Sequence, residues 1–165
     1  MDPQLKKQVL RTFTYGLYAV SCVDEGEVNA FTANWLSQVS FEPPLIAVSV
    51  ENKTRSLPMI LHSGAFVVNV LRTDGQDGAK PNRALAGQLG KSALKVPDKL
   101  TGIEYTPGPG GAPLLREALA WVVCEVRDTI EAGDSTLVVG EVVDVGMLGE
   151  GQPLTMNEAG FRHAG

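Results

Sequence analysis

The chain contains 165 residues, of which 44% are hydrophobic and 20% are charged. This composition predicts one globular domain spanning residues 1–165 and excludes an intrinsically disordered chain. The formal net charge of −5 disfavours nucleic acid as a partner, because binding to phosphate backbones relies on clustered basic residues. No apolar segment is long enough to span a bilayer and the first residues lack an apolar signal core, so we expect a cytoplasmic protein that binds no membrane.

The first half of the chain predicts one helix followed mainly by strands. Residues 3–14 place Leu5, Val9 and Phe13 on one side of a short helix. Runs of β-forming residues, separated by turn residues, then predict a series of strands and a second short helix. The strands are Gly16–Val23, Val28–Ala33, Leu45–Glu51 and Ala65–Leu71, and the helix is Ser56–Ser63, which ends at Gly64.

The second half predicts another helix, a loop and two long strands. Arg83–Leu94 has the pattern of a helix, and Gly102–Pro113 is rich in glycine and proline and predicts a loop. Ala118–Glu131 and Thr136–Met147 alternate apolar and polar residues, which predicts antiparallel pairing with one face buried. Because strands outnumber helices and follow one another through short turns, we expect a mainly β protein with minor α, folded as a closed or split antiparallel barrel.

Several chemistries lack the residue patterns that they require. Cys22 and Cys124 are far apart and each lies in an apolar run, so we expect buried thiols rather than a CxxC metal or redox site. His62 and His163 are isolated from other ligand residues, and we therefore expect no metal site. The GxSxG and GxGxxG motifs are absent, which leaves a serine hydrolase triad and a Rossmann nucleotide site without support.

The segment Thr32–Ser40 stands out because it lies between two predicted strands and is rich in small polar side chains. Hydroxyl, amide and backbone N–H groups there suit a polar ligand such as a flavin pyrimidine ring or ribityl chain, and a tryptophan adds a flat apolar surface. A polar loop whose side chains cap local backbone groups explains the same composition equally well. The candidate cofactor-binding residues in this segment are Thr32, Ala33, Asn34, Trp35, Gln38, Val39 and Ser40.

A second segment, Asn52–Ser56, follows a predicted strand and leads into a predicted helix. Two cationic side chains, two hydroxyl groups and the free N–H groups of the helix start together suit a monophosphate. A solvated turn with a helix cap is the common alternative. The candidate phosphate-binding residues are Asn52, Lys53, Thr54, Arg55 and Ser56.

Longer strings of residues carry a family resemblance. The string TANWLSQVSFEPPLIAVSVENKTRS is followed by SGAFVVNVL, and then by KLTGIEY at Lys99–Tyr105 and GDS at Gly133–Ser135. In this order, and over nearly the whole chain, the sequence resembles the flavin reductase-like FMN-binding family. The YGLY at residues 15–18, together with SFEPP, is similar to a branch found as modules beside rubredoxin or flavodiiron domains.

The resemblance implies a split β-barrel homodimer that holds FMN near the dimer interface. It implies that Thr32–Ser40 lines the isoalloxazine and ribityl groups and that Asn52–Ser56 receives the phosphate. Hydride transfer from NAD(P)H to the flavin needs positioning rather than an acid–base residue, so no catalytic side chain is expected. The family often has histidine where this chain has Ser135, and the candidate substrate-binding residues are Asp134, Ser135 and Phe161.

Two functions stay open on these residues. The first is an NAD(P)H:FMN oxidoreductase that passes electrons to a partner protein or to free flavin. The second is an FMN-holding electron carrier without NAD(P)H activity, which Ser135 leaves open because a hydroxyl cannot stack or titrate as imidazole does. A non-enzymatic binding module and the pyridoxamine phosphate oxidase type are weaker alternatives, because TANWLSQVSFEPP follows the reductase pattern.

Overall fold

The structure is a computed structural model that describes residues 1–73, 82–93 and 95–162. Strands predominate over short helices in these ranges, which confirms the predicted mainly β architecture with minor α. In chain order the elements are α1 (Pro3–Leu10), β1 (Tyr18–Asp24), β2 (Glu27–Ala33), β3 (Leu36–Ser40), β4 (Leu45–Glu51), α2 (Ser56–Ser63), β5 (Ala65–Val70), α3 (Asn82–Leu89), β6 (Tyr105–Pro107), β7 (Pro113–Leu115), β8 (Ala120–Ala132), β9 (Ser135–Met147) and α4 (Met156–Ala159).

The main sheet has seven strands in the order β2-β1-β5-β8-β9-β4-β3, and every neighbouring pair is antiparallel. Its two outer strands, β2 and β3, are consecutive in the chain and are joined by residues 34–35. Because so short a connection cannot cross a flat sheet, the sheet must curl until its edges meet. No ladder joins β2 to β3 among the described strands, so the barrel is split there, as predicted.

The long hairpin of β8 and β9 forms the middle of the sheet. Its pairing runs from Ala120↔Met147 to Ala132↔Ser135, with register shifts between Val123 and Cys124 and between Val126 and Asp128. The antiparallel pairing is confirmed, but the prediction of one continuous buried face is wrong. Each register shift disturbs the alternation of faces, and the outer ends of the strands leave the core. The predicted buried-face residues Ile130, Val143, Val145 and Met147 are therefore exposed.

Two predicted loops contain strands. Residues 36–40 of the segment Thr32–Ser40 form β3, which pairs with β4 and has a bulge between Gln38 and Ser40. An edge strand with polar, exposed side chains carries no apolar alternation, so the sequence pattern did not reveal it. The predicted loop Gly102–Pro113 contains β6, which pairs with β7, a strand that begins at Pro113.

The predicted helix Ser56–Ser63 is confirmed with the same bounds as α2, whereas the first and third predicted helices are longer than those in the structure. α1 ends at Leu10, and α3 runs only from Asn82 to Leu89. Leu94, the last residue of the predicted third helix, lies outside the described residues, as do residues 74–81 and 163–165. No helix in the described part of the chain is both long and apolar enough to cross a membrane.

The core lies on both sides of the curled sheet. One apolar cluster packs α2 against the sheet around Ile60 and Phe66, and another packs α3 and α4 around Leu71 and Leu89. On β9, a Cβ placed on Gly140 would lie 2.7 Å from Cε1 of Phe66, so only glycine fits there without a rearrangement. The packing thereby holds β4, β9 and α2 in fixed positions around the split edge.

Candidate functional site

A pocket of about 620 Å³ lies at the split, where β2 passes into β3. Its walls come from the end of β4, the start of α2, the second half of α3 and the residues after α4. Its size is within the range of small-molecule sites, about 300–1,000 Å³. We call it the main pocket.

The main pocket brings together residues from all three predicted groups. Those that line it are Thr32, Ala33, Asn34, Trp35, Lys53, Thr54, Arg55, Ser56, Ser135 and Phe161. Five predicted residues do not line it, namely Gln38, Val39, Ser40, Asn52 and Asp134. Two segments that are distant in the sequence, residues 32–35 and 53–56, therefore face one cavity.

The residues outside the lining have other contacts. The amide of Gln38 donates a hydrogen bond to the carbonyl of Ser40 at 3.1 Å, along the exposed edge strand. Asn52 binds the β8–β9 turn, because its backbone N–H donates to the carbonyl of Asp134 at 2.9 Å. Its side-chain oxygen also accepts a hydrogen bond from the hydroxyl of Thr136 at 2.8 Å. Asn52 thus holds the basic segment in place beside β9.

Polar groups of β2 and of the residues after it line one part of the pocket. The hydroxyl of Thr32 donates to the carbonyl of Ala86 in α3 at 2.6 Å. The side-chain amide nitrogen of Asn34 is buried and has no hydrogen-bond partner among the described residues. An unpaired buried donor costs free energy, and a ligand rich in carbonyl and ring-nitrogen acceptors can relieve that cost. A flavin ring is such a ligand, so this part of the pocket fits one.

The other part of the pocket is basic. Lys53 lines it without an ion pair among the described residues, whereas Arg55 pairs with Glu27. α2 begins at Ser56 and has no side-chain cap, so its first N–H groups are free to bind an anion. Ser56 is buried, and its hydroxyl accepts a hydrogen bond from the Asn29 amide at 2.9 Å. This combination of charge, hydroxyls and free N–H groups fits a phosphate.

Lys99 is a pocket residue that the sequence analysis did not select. Its side chain is only 5% exposed, and its ammonium donates to the carbonyl of Leu89, at the end of α3, at 2.9 Å. Burial lowers the pKa of Lys99 from the ordinary lysine value of 10.5 to about 8. No carboxylate of the described residues pairs with it. A lysine in a loop is usually solvated, and only the apolar Leu100 and Ile103 beside it hinted at burial.

The two remaining predicted contacts, Ser135 and Phe161, line the pocket from distant parts of the chain. Ser135 is buried at the start of β9, and its hydroxyl donates to the carboxylate of Asp134 at 3.2 Å. Phe161 follows the left-handed turn at Gly160, and its ring lies 3.7 Å from where a Cβ on Gly87 would be. Phe161 therefore packs against α3 and lines the pocket.

The other candidate chemistries find no support. Cys22 and Cys124 are buried free thiols, as predicted, and burial raises the pKa of each to about 12, which makes them unreactive. His62 pairs with Asp24 at 2.7 Å on the surface. Within the described ranges no cluster of ligand residues fits a metal ion, and His163 lies outside them.

The fold matches those of solved flavin reductases, which places the protein in the class of flavin-binding oxidoreductases. Residues 10–165 match the flavin reductase-like domain family, and the chain belongs to that family. It is 30% identical over 162 residues to a flavin reductase of Pseudomonas putida, with 98% of this chain and 89% of that protein covered.

Two further relatives extend the comparison. The high molecular weight rubredoxin of Moorella thermoacetica is 32% identical over 149 residues, which cover 90% of this chain and 62% of that protein. The chain thus spans less than two thirds of that relative. The solved structure of the flavin reductase HpaC complexed with NADP⁺ matches with a TM-score of 0.76 at 27% identity, covering 92% of this chain and 91% of that one.

Proposed function

We propose that the protein is an NAD(P)H-dependent flavin reductase that holds FMN in the main pocket. The observation that carries the proposal is the convergence of the polar residues 32–35 and the basic residues 53–56 on one cavity. When bound, FMN supplies the hydride-accepting chemistry of its ring, and the protein supplies binding and orientation. The similarity to flavin reductases supports this assignment.

The pocket offers separate partners for the ring and for the phosphate of FMN. Thr32, Ala33, Asn34 and Trp35 would hold the ring and the ribityl chain, with the unpaired Asn34 amide donating to a ring acceptor. The basic part of the pocket would hold the phosphate through charge-assisted hydrogen bonds. The residues proposed for the phosphate are Lys53, Thr54, Arg55, Ser56 and Lys99.

The nicotinamide would approach from the side bordered by Ser135 and Phe161. No side chain of this site needs to transfer a proton for the hydride step, so its contribution is orientation and exclusion of water. The complex of the related flavin reductase HpaC with NADP⁺ supports a nicotinamide partner. The match to a rubredoxin-containing protein supports an electron-acceptor protein, with free flavin as the alternative acceptor.

We also propose a homodimer. Val143, Val145 and Met147 form an exposed apolar run on β9, with 46%, 60% and 70% exposure. Apolar residues in such a run are typical of a surface that a partner covers. A second copy of this chain would cover it in the arrangement that the family resemblance implies.

Anaerobic bleaching tests the reductase proposal. FMN-loaded protein is mixed with NADH or NADPH in the absence of oxygen, and the visible absorbance of the flavin is followed. We expect bleaching by at least one nucleotide. Bleaching by dithionite but by neither nucleotide would instead support the electron carrier, for which the hydroxyl of Ser135 in place of an imidazole is the favouring observation.

A further inference from the structure

A second pocket of about 270 Å³ adjoins the main pocket on the side of α4. We call it the outer pocket and define it by the residues used below, which are Arg11, Phe13, Tyr15, Met156, Phe161 and Arg162. Three of these residues, Met156, Phe161 and Arg162, line both pockets. A ligand with two ring systems can therefore occupy the main pocket with one and the outer pocket with the other.

Backbone contacts hold the two sides of the outer pocket together. The N–H of Met156 donates to the carbonyl of Tyr15 at 3.0 Å, which attaches the start of α4 to the residues after α1. The N–H of Phe161 donates to the carbonyl of Met156 at 3.0 Å, after the left-handed turn at Gly160. The aromatic residues on both sides are thus fixed relative to one another.

The chemistry of the outer pocket is aromatic and cationic. The rings of Phe13 and Tyr15 pack with their centroids 6.4 Å apart, and Phe13 is 56% exposed. Arg11 and Arg162 form no ion pair within the described part of the chain, and no carboxylate lines this pocket. The chain as a whole has 19 acidic and 14 basic residues, so this is a local excess of positive charge. Aromatic rings beside unpaired arginines suit an anionic ligand that carries a flat ring.

We infer that the outer pocket binds the adenosine phosphate of a dinucleotide whose reactive ring lies in the main pocket. The adenine stacks on the exposed ring of Phe13, and the phosphate oxygens accept hydrogen bonds from Arg11 and Arg162. The inference rests on the proposed reductase function and adds a place for the other half of the nucleotide. NADH, NADPH and FAD all carry an adenosine phosphate, so the group in the outer pocket can belong either to the reductant or to the flavin.

Calorimetric titration of the FMN-loaded protein with ADP and with 2′,5′-ADP tests the site directly. We expect both probes to bind without displacing FMN, and Arg11→Ala to weaken their binding about tenfold, the scale of one charged hydrogen bond. Lys6→Ala is the matched control, because Lys6 is an exposed cation on α1 outside the pocket. Failure of ADP to bind, or equal weakening by Arg11→Ala and Lys6→Ala, overturns the inference.

Kinetics with the same variants identifies the source. If the group belongs to NAD(P)H, Arg11→Ala raises the KM for the nucleotide with little change in kcat and no change in FMN affinity. If it belongs to FAD, Arg11→Ala weakens FAD relative to FMN. Phe13→Ala should weaken the same ligand as Arg11→Ala does. Leu5→Ala should not, because Leu5 has the same 56% exposure but lies on α1 outside the outer pocket. If the protein is an active reductase and Arg11→Ala changes neither the KM for the nucleotide nor the affinity for FAD, the inference is overturned. If neither nucleotide bleaches the flavin, only the reductase function is refuted.

Discussion

Replacing Lys99 with methionine should change the stability of the fold and the affinity for FMN in opposite directions. In the free protein, burial holds the pKa of Lys99 at about 8 against an ordinary 10.5, which corresponds to about 3 kcal/mol against the charged form. Because the folded pKa is the lower one, this cost is fully present below pH 8 and is relieved as the pH rises toward 10.5. Lys99→Met removes the cost but leaves the Leu89 carbonyl without its donor, a loss of about 1–3 kcal/mol. We therefore expect the free energy of unfolding of the ligand-free variant to rise by about 0–2 kcal/mol at pH 7.

FMN binding should respond in the opposite direction. Loss of a charged hydrogen bond to the phosphate should weaken FMN by about 1.5–3 kcal/mol, while riboflavin, which has no phosphate, should bind unchanged. The assay is a fluorescence titration with each flavin, with Lys95→Met as the control because Lys95 is exposed and outside the pocket. In the unmodified protein FMN affinity should fall as the pH rises past 8, because the ammonium loses its proton, and this dependence should vanish in Lys99→Met. Unchanged FMN affinity, or equal losses for FMN and riboflavin, would refute the phosphate role of Lys99.

Three other variants test the phosphate site, the ring site and the packing of β9. Lys53→Ala combined with Arg55→Ala should weaken FMN by about 1–3 kcal/mol and leave riboflavin unchanged, as measured by the same titration. Asn34→Ala should weaken FMN and riboflavin equally, by about 1–3 kcal/mol, because its amide is proposed to donate to the ring rather than to the phosphate. Gly140→Ala should lower the free energy of unfolding by about 1–3 kcal/mol in a denaturant titration, because the new methyl group would lie 2.7 Å from the ring of Phe66.

Controls make these outcomes decisive. Gly149→Ala adds the same methyl group at a glycine whose nearest neighbour, a guanidinium nitrogen of Arg72, lies at 3.5 Å, so its stability should change little. Equal destabilisation by Gly140→Ala and Gly149→Ala would contradict the packing argument. Riboflavin binding that survives Asn34→Ala while FMN binding is lost would contradict the assignment of Asn34 to the ring.

Local sequence patterns were enough to predict the strands that have a buried face. In Leu45–Glu51 and Ala65–Leu71 the apolar runs reflect burial, and burial dictates residue type directly. β3 was missed because an exposed edge strand imposes no such pattern on Gln38 and its neighbours. The ends of β8 and β9 show the opposite error, in which burial was predicted for exposed residues. Apolar and polar residues continue to alternate there although no core covers them.

Residue type alone was compatible with ligand binding by both segments, but a polar loop and a capped turn explained the same residues, and the family resemblance was needed to favour a flavin and a phosphate. Only the curled sheet decided that residues 32–35 and 53–56 face one cavity, since their separation depends on how β2, β4 and α2 pack. The same packing buried Lys99 beneath α3 and left the Asn34 amide without a hydrogen-bond partner among the residues that the structure describes. Burial of a charge and the pairing of a donor depend on atoms that are distant in the chain, and a local pattern carries no information about them.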